Sequence, residues 1–115
     1  MDIEREMLKG YIDIIILSML FGRDLYGYEL AKRVKEQTQN RFEMKEGTLY
    51  LAFKRLEQNG LISSYWGDES VGGRRRYYSI LPDGRAYVRA RKAQWEQLKD
   101  IVDLFLKGVG DDEQP

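Results

Sequence analysis

Cysteine and histidine are both absent from the 115 residues, and proline occurs only twice. Without cysteine there are no disulfides and no thiolate metal sites. Without histidine as well, the usual transition-metal ligand sets and the Ser-His-Asp and Cys-His catalytic arrangements are excluded. Catalysis would rest on carboxylates, lysines and tyrosines alone. No nucleophile–base pair or ligand set stands out among them, so no enzyme activity, metal or cofactor is expected. No apolar run is long enough to span a bilayer: the longest, Ile14-Ile15-Ile16-Leu17, follows Asp13 and leads into Ser18-Met19-Leu20-Phe21. No signal peptide is apparent, and a soluble, cytoplasmic location is the expectation. Net charge is missing too, with 19 basic and 19 acidic side chains. What governs binding is how charge is distributed rather than its sum. Arg74 to Arg76 are three consecutive cations, and Asp111 to Glu113 three consecutive acids.

What is present is a 43% apolar chain of one-domain length. A core this small gains from pairing with a second copy. The most informative stretch runs from Gly47 to Ile80. Leu49, Phe53 and Leu56, with Ala52 beside them, form one apolar face of a helix, leaving Thr48, Tyr50, Lys54 and Arg55 off that stripe. Gly60 supplies a C-terminal stop. Leu61 to Trp66 and Arg75 to Ile80 have strand composition, with Gly67 to Arg74 as the turn. Helix, strand, loop and strand in that order form the back half of a winged helix-turn-helix, a DNA-reading unit.

Before that stretch, Glu4 to Phe21 reads as a first helix. Leu8, Ile12, Ile15 and Met19 form one stripe and Met7, Tyr11, Ile14, Leu17 and Phe21 another, so it is expected to be buried on more than one side. Leu25 to Gln39 suggests a second helix, with Tyr28, Ala31, Val34 and Lys35 at helical spacing. Gly27 would permit close packing against another backbone. Arg41 to Met44 reads as a brief extended segment. Leu81-Pro82-Asp83-Gly84 starts a long helix running to about Lys107. Its Trp95, Leu98, Val102, Phe105 and Val109 have heptad spacing, a seam that calls for another helix. The expected fold is therefore mainly α with a small β-hairpin (α+β). Residues 1–81 form a winged helix-turn-helix unit, 82–107 a dimerisation helix and 108–115 an acidic tail. Leu8, Ile15, Leu98, Val102 and Phe105 are the expected pairing residues.

The segments LYGYEL (25–30), GTLY (47–50), KRLE (54–57), GLI (60–62) and GGRRRYY (72–78) together resemble the PadR family of bacterial transcriptional regulators. LPDGR (81–85) looks like that family's LTxxG helix start, with Pro82 in place of the usual threonine. The likeness covers roughly residues 7 to 106. The short terminal helix and YWGDES (65–70) resemble the compact, LmrR-like branch. The resemblance implies a homodimeric repressor paired through its first and last helices. The third helix would enter successive major grooves of double-stranded operator DNA, and the hairpin loops would reach flanking phosphate or minor groove. It also implies a flat pore at the dimer interface where one tryptophan per subunit, here Trp95, stacks on planar aromatic compounds.

Residue roles follow from combining the two readings. Thr48, Lys54 and Arg55 are expected on phosphates and Tyr50 on a base or phosphate, with Arg55 able instead to pair with Glu57 or Asp68. Strand alternation sends Arg75 opposite to Arg74 and Arg76, so Arg74 and Arg76, beside Gly73, are the expected wing contacts. Trp95, Lys92 and Lys99 would form one wall of the pocket and Met7, Tyr11 and Ile14 the other. A buried tryptophan removes roughly 150–250 Å² from water, worth on the order of 4–6 kcal/mol, so Trp95 as packed core stays open beside Trp95 as ligand platform. Open too are a switch whose main role is ligand binding at Trp95, and a winged helix used only for protein contacts.

Overall fold

The computed structural model describes residues 8–67 and 73–110, apart from the Lys9 side chain. A 3-10 turn (Lys9–Tyr11) leads into α1 (Ile12–Phe21). There follow β1 (Leu25–Tyr26), α2 (Gly27–Gln37), α3 (Glu46–Gln58), β2 (Ile62–Trp66), β3 (Arg76–Ile80) and α4 (Pro82–Leu106). The strands make one antiparallel sheet in the order β1-β3-β2, with Ile62 opposite Ile80, Trp66 opposite Arg76 and Leu25 opposite Tyr78. This is the expected α+β winged-helix architecture with one strand more than anticipated.

The core lies where α1, α2 and α3 meet one face of the sheet. Ile16 and Leu17 of α1, Leu30 of α2 and Leu49, Ala52, Phe53 and Leu56 of α3 are all sealed from solvent. The Phe53 ring stacks on Tyr78 of β3 at 3.7 Å between centroids, which fixes α3 against the sheet. α3 ends as its glycine implied: Gly60 takes φ +74°, and the Leu61 amide donates to the Leu56 carbonyl at 3.0 Å. Pro82 opens α4, and the Leu81 amide donates to the Leu61 carbonyl at 2.9 Å, tying the start of α4 to the root of the hairpin.

Three local expectations need correction. The first helix, where described, is interrupted: the chain makes a 3-10 turn through Gly10, and Tyr11 leaves helical geometry (φ −114°, ψ 1°) before α1 begins. Its deepest line is Ile12, Ile16 and Leu20 with Leu17, between the two stripes read from the sequence. With apolar residues at every position from Ile14 to Leu17, periodicity carries little information about which face goes deepest. Leu25 and Tyr26 are strand rather than helix, because β3 offers them a ladder that no local pattern reveals. α2 stops at Gln37, where Gln39 and Asn40 turn left-handed (φ 54° and 66°), and Tyr28 faces solvent. Arg41 to Met44, expected as a brief extended segment, lies outside every helix and strand of the described residues and buries Phe42 and Met44 in the core.

Candidate nucleic-acid interface

α3 docks by its four sealed apolar residues, so helical geometry turns Thr48, Tyr50, Leu51, Lys54 and Arg55 outward. Among the described residues Lys54 makes no ion pair. Arg55 does make one. Its Nε donates to Asp13 Oδ2 at 3.3 Å and its Nη2 meets Asp13 Oδ1, tying α3 to α1. This hydrogen-bonded carboxylate raises the guanidinium's pKa above its ordinary value. Glu57, one expected partner, is engaged elsewhere, and Asp68, the other, lies outside the described residues. Tyr50 is half-exposed, its ring edge-on to Phe53 at 5.6 Å and its hydroxyl end over the Gly27 Cα. The space left by Gly27 is thus filled by a side chain rather than a backbone.

The hairpin continues the surface. The Gly67 amide donates to the Arg75 carbonyl at 2.7 Å, extending the ladder one step past Trp66. Gly73 has φ +87°, a geometry that favours glycine, as its place in a turn implied. The alternation of the three arginines is as the pleat requires. Arg75 lies over Tyr26 at 4.6 Å on one side of the sheet, while Arg74 and Arg76 lie 5.2 and 6.0 Å from the Trp66 ring on the other. That second side is the side of α3. The Ser64 hydroxyl donates to Glu57 Oε2 at 2.8 Å and accepts from Arg76 Nε and Nη2 at 3.0 and 2.8 Å, and Arg76 lies 3.7 Å from Glu57. Arg76 is therefore tied inward as a brace between hairpin and helix. Arg74 is exposed, its guanidinium lying over an exposed indole. The rest of the loop, residues 68–72, lies outside the described residues.

Trp95 sits away from this surface, at an open groove of about 590 Å³ between α1 and α4. It is 46% exposed and meets Tyr11 edge-on at 5.8 Å. Ile14 and Lys92 line the groove, together with Phe21, Val88 and Arg89, which were not among the pocket residues read from the sequence. Arg85 and Arg89 lie over the Phe21 ring at 4.5 and 5.2 Å. Lys99 stands one turn beyond and faces Asp103 of its own helix at 3.4 Å, and Met7 lies outside the described residues. Leu98, Val102 and Phe105 project from the distal half of α4 at 47%, 42% and 76% exposure, while Leu8 and Ile15 are half-covered against the core. No metal-binding cluster occurs among the described residues, and none of their helices is long and apolar enough to cross a membrane.

Several of these partners carried no sequence signal. Asp13 and Arg55 are 42 residues apart, and Tyr65, whose hydroxyl donates to Asp24 at 2.6 Å, is 41 from its acceptor. Only the fold brings them together.

Comparison with known proteins bears on what such a surface does. The profile of the "Transcriptional regulator PadR-like family" matches residues 16–90. The chain is 40% identical over 107 residues to an uncharacterized protein of Lysinibacillus sphaericus, covering 93% of this chain and 98% of that one. Its fold is similar to that of a transcriptional regulator from Clostridium thermocellum (TM-score 0.79, 43% identity, 91% of this chain and 99% of that one). It is similar also to a PadR family transcription regulator from Clostridium difficile R20291 (TM-score 0.76, 46% identity, 84% and 99%).

Proposed function

The chain belongs to the transcriptional regulator PadR-like family, and from that premise we propose that it acts as a homodimer that binds a palindromic DNA operator and represses a nearby gene. What supports this reading is that Thr48, Tyr50 and Lys54 are exposed on α3, and that exposed Arg74 lies on the side of the hairpin to which α3 is tied through Glu57. Residues 1–81 serve as the DNA-binding unit and 82–107 as the pairing helix. Tyr50 reads a base or phosphate, and Thr48, Lys54 and Arg74 hold phosphates. Arg76 and Arg55 contribute less than their charge suggests, because each already has a carboxylate partner. Gly73 shapes the turn that presents Arg74.

Affinity then comes mainly from phosphate neutralisation. With roughly six contacts per dimer, log K falls with log salt at a slope of about −5. Arg74→Ala weakens binding to all sequences and flattens the slope by about 2, one contact from each subunit. Salt titrations by fluorescence anisotropy test this, and an unchanged slope removes Arg74 from the interface. A gel shift on the DNA upstream of the protein's own gene separates this reading from a winged helix used only for protein contacts.

The half-exposed Trp95 in its groove favours a second layer, in which a planar aromatic compound at the dimer interface derepresses the gene. Such a ligand shifts the dimer only by its preference for one geometry. In the Trp66→Phe background, titration with planar dyes should quench Trp95 fluorescence. No quenching across a broad panel leaves Trp95 as packing.

A further inference from the structure

Gly27 is the first residue of α2, and nothing in its backbone calls for glycine: positive φ among the described glycines occurs at Gly60 and Gly73. Glycine is also a poorer helix former than alanine, so its presence here opposes local stability. What it provides is space. A Cβ built at this position would lie 2.9 Å from Tyr50 Cζ and 3.4 Å from Cε1, with the Tyr50 hydroxyl oxygen closer still, and these are its three nearest atoms. Every one belongs to the far end of a single side chain on the neighbouring helix. From the other flank the Tyr50 ring rests edge-on against Phe53, which is itself stacked on Tyr78. The ring is thus gripped between a rigid core aromatic and a bare Cα, while 44% of the residue remains exposed.

We infer that Gly27 is a positioning residue for DNA recognition: its missing side chain seats the Tyr50 ring at the start of α2 and so sets the direction in which the hydroxyl leaves α3. This rests on the reading in which Tyr50 meets the operator. A methyl group at residue 27 swings the Tyr50 ring without striking backbone, so the fold survives while the reading head moves. Sequence preference suffers and charge-driven affinity does not, because the cations of α3 and the hairpin stay in place.

The test is a two-by-two comparison of wild type, Gly27→Ala, Tyr50→Ala and the double variant. Each is used to select bound sites from a pool of random DNA duplexes and then titrated on the wild-type consensus. Gly27→Ala should lose on the order of tenfold in affinity for that consensus relative to random duplex, the scale of one base contact. Its salt slope should be unchanged, and it should have no further effect once Tyr50 is alanine. An equal loss in both backgrounds, or no loss in the first, overturns the inference. Contacts between the Tyr50 ring and the Gly27 Hα protons in NMR spectra of the wild-type protein test the seat without DNA or any variant, and their absence also overturns it. If those contacts are present but wild type enriches no sequence, the DNA-reading premise fails, and the inference with it, for a distinguishable reason.

Discussion

Two glycines that look alike in the sequence differ by what a methyl group would strike. At Gly27 it meets the end of a tyrosine, which can swing away. At Gly84 it would meet the Leu61 carbonyl, closest of all, and Ile80 Cγ1 at 2.8 Å, in a position already held by the Leu81–Leu61 hydrogen bond. Backbone cannot give in the same way, so Gly84→Ala is expected to cost about 1–3 kcal/mol, read as a lower midpoint in urea unfolding. Tyr65 offers a second single-residue test. Its hydrogen bond to Asp24 pushes its pKa up from 10.0 to about 12. A group whose folded pKa lies above its unfolded value stabilises fully below the unfolded value and loses that contribution as pH climbs through the folded one. The stability difference between wild type and Tyr65→Phe should therefore hold to about pH 10 and shrink between 10 and 12. The group is exposed, so the effect is small, and phenolate absorbance should place the titration directly.

At the scale of elements, the tie between α1 and α3 is the Asp13–Arg55 pair. Both side chains are partly exposed, so the pair is worth only about 0.2–1 kcal/mol. Asp13→Asn should therefore barely change unfolding. Its effect on DNA should be larger and of opposite sense, since it frees one cation per subunit on the outward side of α3. Non-specific affinity should rise and the salt slope steepen by about 2. A slope identical to wild type would mean that Arg55 is too far from phosphate to matter even when released. The hairpin shows the same economy of charge. Of three consecutive arginines, one lies over Tyr26 on the far side of the sheet, one braces Glu57 and Ser64, and Arg74 lies over the exposed Trp66 ring on the α3 side.

For the whole molecule the long axis is informative. The described chain measures 66 × 30 × 21 Å, because the distal half of α4 projects beyond the domain. Ile101, Leu104 and Phe105 are half or more exposed there, an apolar surface larger than isolated exposed residues explain. In the proposed homodimer, pairing through this helix would set the distance between two copies of α3, on which reading two half-sites depends. Phe105→Asp should leave each subunit folded, as Phe105 is no part of the core, while converting dimer to monomer in sedimentation. Operator affinity should then fall on the order of 100-fold or more, through loss of the second half-site. A Phe105→Asp protein that still sediments as a dimer would move the interface elsewhere.

The sequence alone determined the winged-helix plan, because that plan rests on short-range physics. The spacing Leu49-Ala52-Phe53-Leu56 makes one face, Gly60 a stop, two strand-like runs a hairpin and Pro82 a helix start. It also determined which side of α3 faces outward and how Arg74, Arg75 and Arg76 alternate. Tertiary structure decided the rest. It recruited Leu25 and Tyr26 as a third strand, chose the deep face of a helix too uniformly apolar to declare one, and matched Arg55 with Asp13 and Arg76 with Ser64 and Glu57. These are choices between partners far apart along the chain. Local pattern specifies what a residue can offer, but which partner accepts depends on where packing of the core leaves both.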